Sequence, residues 1–246
     1  MRTLVVIPTY NEAENVVEII EAVRASVPEV DLLIVDDSSP DGTAKLAEEA
    51  GARLGQVSVL KRDGKSGLGR AYRAGFTWGL ERGYDAFVEM DADFSHDPAA
   101  LPSLLAASER AEVVIGSRYV AGAAVPNWPL ARLALSRGGN IYASLLLGLR
   151  VSDSTAGFRV YRASALVKMD YTTVEAEGYT FQIEMTYRAR QVGATIEEVP
   201  ITFVDRARGT SKMSSAIVVE ALALVTWWAL QRPVRWLASR VEGAKH

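Results

Sequence analysis

The first 120 residues alternate two hydrophobic rhythms. Short apolar runs rich in β-branched residues predict strands at Thr3 to Ile7, Asp31 to Asp36, Val57 to Leu60, Asp85 to Met90 and Glu112 to Gly116. Between the first two, Val16, Ile19, Ile20 and Val23 recur at helical spacing, and Leu68 to Arg82 is long enough for a crossover helix. Near-continuous apolar strands separated by amphipathic helices imply an α/β fold: a mainly parallel, twisted sheet with helices on both faces. Beyond residue 120 the alternation stops. A helical segment from Pro129 to Leu149, a polar turn region from Asp153 to Phe158, a helix near Phe181 to Val192, a strand near Thr195 to Val204 and a helical tail from Ser215 complete the pattern. No repeat, low-complexity tract or linker divides the chain, so residues 1–246 are expected to form one domain.

In open α/β sheets ligands bind beyond the carboxyl ends of the strands, so the residues following each strand carry the most functional information. Here they are Pro8-Thr9-Tyr10-Asn11-Glu12, Asp36-Asp37-Ser38-Ser39, Asp91-Ala92-Asp93 and Ser117-Arg118-Tyr119. Carboxylates two residues apart in an extended turn point the same way, which makes Asp91 and Asp93 a clamp for a hard cation such as Mg2+ or Mn2+ that also touches a diphosphate. A lone DxD is also common in solvated loops, and its place after a buried strand is what raises its meaning. His96, followed by Asp97-Pro98, reads as part of a helix-entry turn. Asp36-Asp37 suits a turn and helix cap as well as a contact to a base or ribose.

Composition narrows the function. The formal net charge is −3, which provides no overall basic field for nucleic acid. The absence of cysteine excludes disulfides, thiolate metal sites and cysteine nucleophiles. The early apolar run is stopped by Pro8, too short for a secretory signal, and the stretch from Ile217 to Leu230 is interrupted by Glu220 and too short to span a bilayer; a cytoplasmic protein is expected. Gly64-Lys65-Ser66 is no P-loop, since Val59 stands where its first glycine is required, and Gly67-Leu68-Gly69 does not complete a dinucleotide fingerprint because Tyr72 occupies the last small position. Gln231 and Arg235-Trp236 miss the QxxRW spacing of processive synthases by one residue.

Three basic features remain. Asp205 to Lys212 gathers Arg206, Arg208 and Lys212 in a Gly-containing loop, either a solvated loop or a mobile cover for a leaving diphosphate. Arg118, Arg132 and Arg137 flank Asn127-Trp128-Pro129 and read either as surface charges or, together, as a site for a second phosphate. The tail, residues 215–241, combines Trp227, Trp228 and Trp236 with Arg232, Arg235 and Arg240: an amphipathic helix that either docks on the protein or lies at a membrane interface.

Taken in order, PTYNE (8–12), VDDSSPDG (35–42), MDAD (90–93), GSRY (116–119), AGFR (156–159) and Arg206 to Lys212 resemble dolichol-phosphate mannose synthases of glycosyltransferase family 2, across nearly the whole chain. The resemblance implies a GT-A nucleotide-diphospho-sugar transferase fold. It implies that Pro8, Tyr10, Glu12, Val35, Asp37, Asp91, Ala92, Asp93, Arg206 and Lys212 hold GDP-mannose, and that Asp91 and Asp93 bind the metal. Arg118, Arg132 and Ser136 would face the acceptor phosphate, with Asp91, Asp93 and Arg118 carrying catalysis. Ser95 stands where relatives often have a glutamine metal ligand. The missing carboxyl-terminal spanning helices resemble the compact actinobacterial polyprenyl-phosphate mannose synthases, which work at the cytoplasmic face of the membrane beside a separate or fused membrane protein. The implied reaction is inverting transfer of mannose to a polyprenyl monophosphate. A hexosyltransferase using a UDP-sugar, or a silent nucleotide-binding scaffold, are the alternatives.

Overall fold

The computed structural model describes residues 1–205 and 221–231. Seven strands form one sheet in the order β3-β2-β1-β4-β6-β5-β7. β1 (Thr3–Thr9) lies between β2 (Asp31–Asp36) and β4 (Ala86–Glu89), parallel to both, and β3 (Val57–Lys61) extends the parallel set beyond β2. β5 (Val113–Ser117) and β7 (Ile196–Pro200) pair in parallel; β6 (Arg159–Arg162) is inserted antiparallel between β4 and β5. A single reversed strand therefore separates two parallel groups.

Alternation along each strand sends side chains to two cores. Leu4, Val6, Leu33, Val35, Phe87, Val113 and Ile115 pack on one face with Tyr72 and Phe76 of α3 (Leu68–Leu80), Ala143 and Leu147 of α5 (Leu130–Leu147), and Phe181 and Met185 of α7 (Gly178–Gln191). Val5, Ile7, Leu32, Ile34, Val88, Val114 and Val160 pack on the other, under α1 (Val16–Ser26), α2 (Thr43–Leu54) and α4 (Leu101–Ala107). Burial on both faces explains the continuous apolar runs of the first strands. A short helix, α6 (Ala163–Lys168), follows β6.

The expected strands and crossover helix are present, with shifted ends. β6 was not anticipated: four residues, two of them arginine, give no apolar run. β7 stops at Pro200, short of the predicted Val204, and only isolated bridges at Thr202 and Phe203 continue it. α7 begins at Gly178, three residues earlier than its pattern suggested, and is buried nearly all round from Thr180 to Tyr187, so it lacks the stripe that marks a helix edge. Of the tail, residues 221–231 are helical; Val225 is buried and Trp228 stacks on Tyr187 of α7, while Trp227 and Leu230 are exposed. The rest of the predicted 215–241 helix lies outside the described residues.

Glycine lets α3 approach the sheet closely. A Cβ on Gly75 would overlap Val6 Cγ1, and one on Gly79 would overlap Phe87 Cε1. Because fully buried strand side chains have nowhere to retreat, Gly75→Ala is expected to cost about 1–3 kcal/mol, read as a lower urea midpoint with unchanged slope. A midpoint at or above that of the parent chain would show that helix and sheet separate freely.

Candidate active site

Three loops at the carboxyl ends of β1, β2 and β4 meet. Asn11 adopts a left-handed conformation (φ 60°) that asparagine tolerates, and the β1 loop is then tied to the β2 loop: Asn11 N–H donates to Ser39 Oγ (3.0 Å), Glu12 N–H to Thr43 Oγ1 (3.0 Å) and Ala13 N–H to Asp41 Oδ2 (3.1 Å). The paired aspartates divide their duties. Asp36 accepts from Thr9 Oγ1 (2.9 Å), Ser39 N–H (2.9 Å) and Ser39 Oγ (2.6 Å), the turn function. Asp37, also buried, takes the Arg62 guanidinium on Oδ1 (2.7 Å) and the Ser66 N–H on Oδ2 (3.3 Å), anchoring the loop after β3.

Pro8, Tyr10, Glu12, Asp37, Asp91, Ala92 and Asp93 line one cleft of about 230 Å³, with Lys65, Gly67, Leu68 and Ala71 opposite. These are seven of the residues expected to hold the donor. Val35 is not among them: its side chain is fully buried and packs beside Gly75 of α3. Arg206 and Lys212 lie outside the described residues.

Asp91 and Asp93 both face the cleft, and the surrounding bonds fix their loop. Asp91 Oδ1 accepts from Tyr72 (3.2 Å), whose burial, reinforced by the Asp91 charge, pushes its phenol well above the usual range and keeps it a donor. Asp91 N–H donates to His96 Nδ1 (3.3 Å). Burial pushes His96 down to about 4, so near neutrality it is an uncharged acceptor. It is more than the turn residue the sequence suggested: it stacks on Phe158 at 5.1 Å. Asp97, as expected, caps the following turn through Ala99 N–H (2.9 Å). Ser95 is buried and does not line the cleft; its backbone N–H donates to Asp93 Oδ1 (3.0 Å) and so orients that carboxylate. Among the described residues no group of three or more His, Asp or Glu side chains converges on a cation. Two carboxylates on one wall, with oxygen ligands only, fit a hard divalent ion whose remaining shell is water and diphosphate. Behind them, burial raises Glu89 to about 8 against the opposing pull of Arg159, favouring the neutral acid next to Asp91.

A second pocket, about 110 Å³ and mostly apolar, opens between α5, α7 and the 221–231 helix. Arg118, Arg132 and Ser136, the residues expected to face an acceptor phosphate, all line it, together with Leu135, Ala143, Ile183, Leu222 and Val225. Arg118 is buried and clamped by Asp153 (Nε to Oδ2 2.7 Å, Nη2 to Oδ1 2.7 Å) and by Thr155 Oγ1 (2.7 Å). Burial alone would raise the Asp153 carboxyl, but the Arg118 hydrogen bonds and charge hold it below its usual range. Arg132 pairs with Asp205 (2.8 Å) and lies 4.0 Å over the Trp128 ring. Ser136 Oγ accepts from Tyr119 (2.6 Å). Arg137 does not join them; it lines a separate groove with Tyr119 and Ser152, which corrects the three-arginine grouping. Phe203 connects the two sites, edge-on to both His96 and Trp128 at 5.7 Å and 5.4 Å from the Arg118 guanidinium.

Sequence reasoning missed Asp153, Tyr72 and Phe203. Asp153 is 35 residues from Arg118, and no local spacing relates them. Tyr72 counted only as a failed glycine.

Residues 4–169 match the family described as glycosyl transferase family 2. The chain is 52% identical over 236 residues to the undecaprenyl-phosphate mannosyltransferase of Micrococcus luteus, covering 96% of each protein. Among solved structures it resembles glucosyl-3-phosphoglycerate synthase from Mycobacterium tuberculosis in complex with Mn2+, UDP and glucosyl-3-phosphoglycerate (TM-score 0.65, 18% identity, 94% of this chain and 79% of that one). It also resembles the mannosyltransferase PcManGT from Pyrobaculum calidifontis in complex with GDP-Man and Mn2+ (TM-score 0.54, 17% identity, 98% and 75%). The cleft at the strand ends thus belongs to a GT-A glycosyltransferase, and the chain is a member of glycosyl transferase family 2.

Proposed function

We propose that the protein transfers mannose from GDP-mannose to a polyprenyl monophosphate with inversion, giving polyprenyl phosphate β-mannose and GDP. The observation that carries this reading is the presence of two unlike cavities linked through His96 and Phe203: an acidic cleft ending in Asp91 and Asp93, and an apolar pocket bearing Arg118 and Arg132. A sugar nucleotide needs the first, and an anionic head on a hydrocarbon chain needs the second. The Micrococcus relative's mannosyl and undecaprenyl-phosphate specificities, and the GDP-Man bound by the Pyrobaculum neighbour, support the same assignment.

A phosphate monoester is anionic near neutral pH, so its oxygen can attack the anomeric carbon without a strong general base. The chain's work is to position and to balance charge. Asp91 and Asp93 would hold Mg2+ or Mn2+, which when bound neutralises the departing diphosphate. Arg206 and Lys212 are assigned to that diphosphate by resemblance alone. Arg132 and the Arg118 edge not taken by Asp153 would draw the acceptor phosphate into the second pocket.

Membrane access is proposed through α5. Leu130 (83% exposed), Leu135, Ile141 and Leu145 (77% exposed) form an outward apolar stripe on a helix whose charged residues are Arg132 and Arg137 alone. Apolar side chains with flanking arginines and no acid suit the interface of an anionic bilayer. Among the described residues no helix is long and apolar enough to cross one. A separate membrane protein beside this face is the partner the resemblance implies.

Four measurements test the reading. In a radiolabel assay extracting product into organic solvent, transfer is expected from GDP-mannose and not from UDP-glucose or UDP-N-acetylglucosamine; a preference for a UDP-sugar would replace the donor assignment. Asp93→Asn is expected to lower transfer by about 100-fold or more even at saturating Mn2+, and near-wild-type turnover would sink the metal assignment. Arg132→Ala should raise the KM for polyprenyl phosphate about tenfold while leaving GDP affinity unchanged. Replacing Leu130, Ile141 and Leu145 together by Gln should abolish sedimentation with anionic vesicles, since each buried side chain contributes about 1.5–3 kcal/mol; undiminished sedimentation would place the membrane face elsewhere.

A further inference from the structure

Lys65 was set aside in the sequence because its surroundings fail as a P-loop, yet the fold carries it into the donor cleft. Its placement is built. The loop after β3 is held by Arg62 and Ser66 on Asp37, and by Arg62 N–H on Asp36 O (2.8 Å). Left-handed Gly64 and Gly67 (φ 143° and 104°) bound the Lys65 turn, and its Nζ lies 4.3 Å from the Tyr10 ring centroid. Among the described residues lining the cleft, Lys65 is the one basic side chain, against Glu12, Asp37, Asp91 and Asp93.

The sheet order tells which part of a nucleotide Lys65 meets. Along the carboxyl edge the strands run β3, β2, β1, β4, so Lys65 and Asp37 stand on one side of Tyr10 and the metal carboxylates on the other. Adjacent strands are about 4.8 Å apart, which puts the Asp37 end on the order of 10 Å from Asp91 and Asp93. With the diphosphate at the β4 end, the opposite end receives the base. An ammonium has donors only, so it favours a base whose exocyclic group is a carbonyl and disfavours one carrying an amino group there.

We propose that Lys65 reads the donor's base, donating to the carbonyl that guanine and uracil carry and that adenine and cytosine replace with an amino group. This rests on the reading of the cleft as a nucleoside diphosphate-sugar site. It adds a residue that selects between keto and amino bases, and predicts that the enzyme is blind to adenosine and cytidine donors for a local chemical reason.

The test is calorimetric binding of GDP, UDP, ADP and CDP, each with Mn2+, to the full chain and to Lys65→Met. Lys65 is exposed, so the variant is expected to fold, and its thermal midpoint checks this. GDP and UDP affinities should fall about 10- to 100-fold, the worth of a charge-assisted hydrogen bond. ADP and CDP should change less than about threefold, and Lys65→Arg should restore most of the contrast. Equal losses for all four nucleotides would assign the lysine to the phosphates and overturn the proposal; so would no loss for any. If the parent chain prefers UDP to GDP, the GDP-mannose reading fails while the UDP-against-CDP contrast still tests Lys65.

Discussion

A guanidinium buried without a single exposed atom needs an acceptor for every hydrogen it can no longer give to water, and Arg159 imposes that condition on the middle of this structure. It donates from Nε to Ala156 O (2.7 Å), from Nη1 to Gln182 O (3.0 Å), Thr186 Oγ1 (2.8 Å) and Tyr161 (3.3 Å), and from Nη2 to Ser154 O (2.7 Å). Those acceptors come from the 153–158 turn, from β6 and from α7. The cost of leaving any of them unmade, several kcal/mol for a charged group in the interior, keeps the reversed strand, the turn and the helix in one register. Glu89, one residue short of the turn that carries Asp91 and Asp93, sits in the same charge field and takes Gln182 Nε2 on Oε2 (2.8 Å). The turn that Arg159 shapes also carries Asp153 and Thr155, which hold Arg118. One buried cation thereby ties the strand end that carries Asp91 and Asp93 to the turn that clamps Arg118.

The same logic explains what could be read in the chain. β1, β2 and β4 were legible because strands buried on both faces must be apolar throughout, and the strand-end rule then located Tyr10, Asp37, Asp91 and Asp93 without any tertiary knowledge. β6 was illegible because its stability comes from a polar residue satisfied at a distance, and α7 because burial on every side erases the stripe that periodicity detects. Asp37 shows a subtler limit. Its position after a strand was informative, but whether it meets a ligand directly or organises the loop that does depends on Arg62 and Ser66, more than 20 residues away. Val35 and Ser95 show a related limit: a residue beside the cleft in sequence can have its side chain buried away from it.

Charge compensation distinguishes the two cavities. In the apolar pocket both arginines already have carboxylate partners, Asp153 and Asp205. On the proposed reading an incoming phosphate competes with, or adds to, an existing pair, and the pocket is nearly neutral without it. That arrangement suits a surface that must also tolerate hydrocarbon. The cleft at the strand ends instead concentrates carboxylates, Glu12, Asp37, Asp91 and Asp93, against Lys65.

The two cavities are also written in separate stretches of the chain. All the carboxylates lining the cleft precede residue 94, whereas the apolar pocket is drawn from Arg118 onwards. A laboratory chimera joined in the segment between Asp93 and Arg118 would leave the β1 and β2 loops bonded to one another, but it would exchange Arg159 together with the second pocket, so the incoming stretch must bring its own buried cation to hold the turn, the reversed strand and the helix in register.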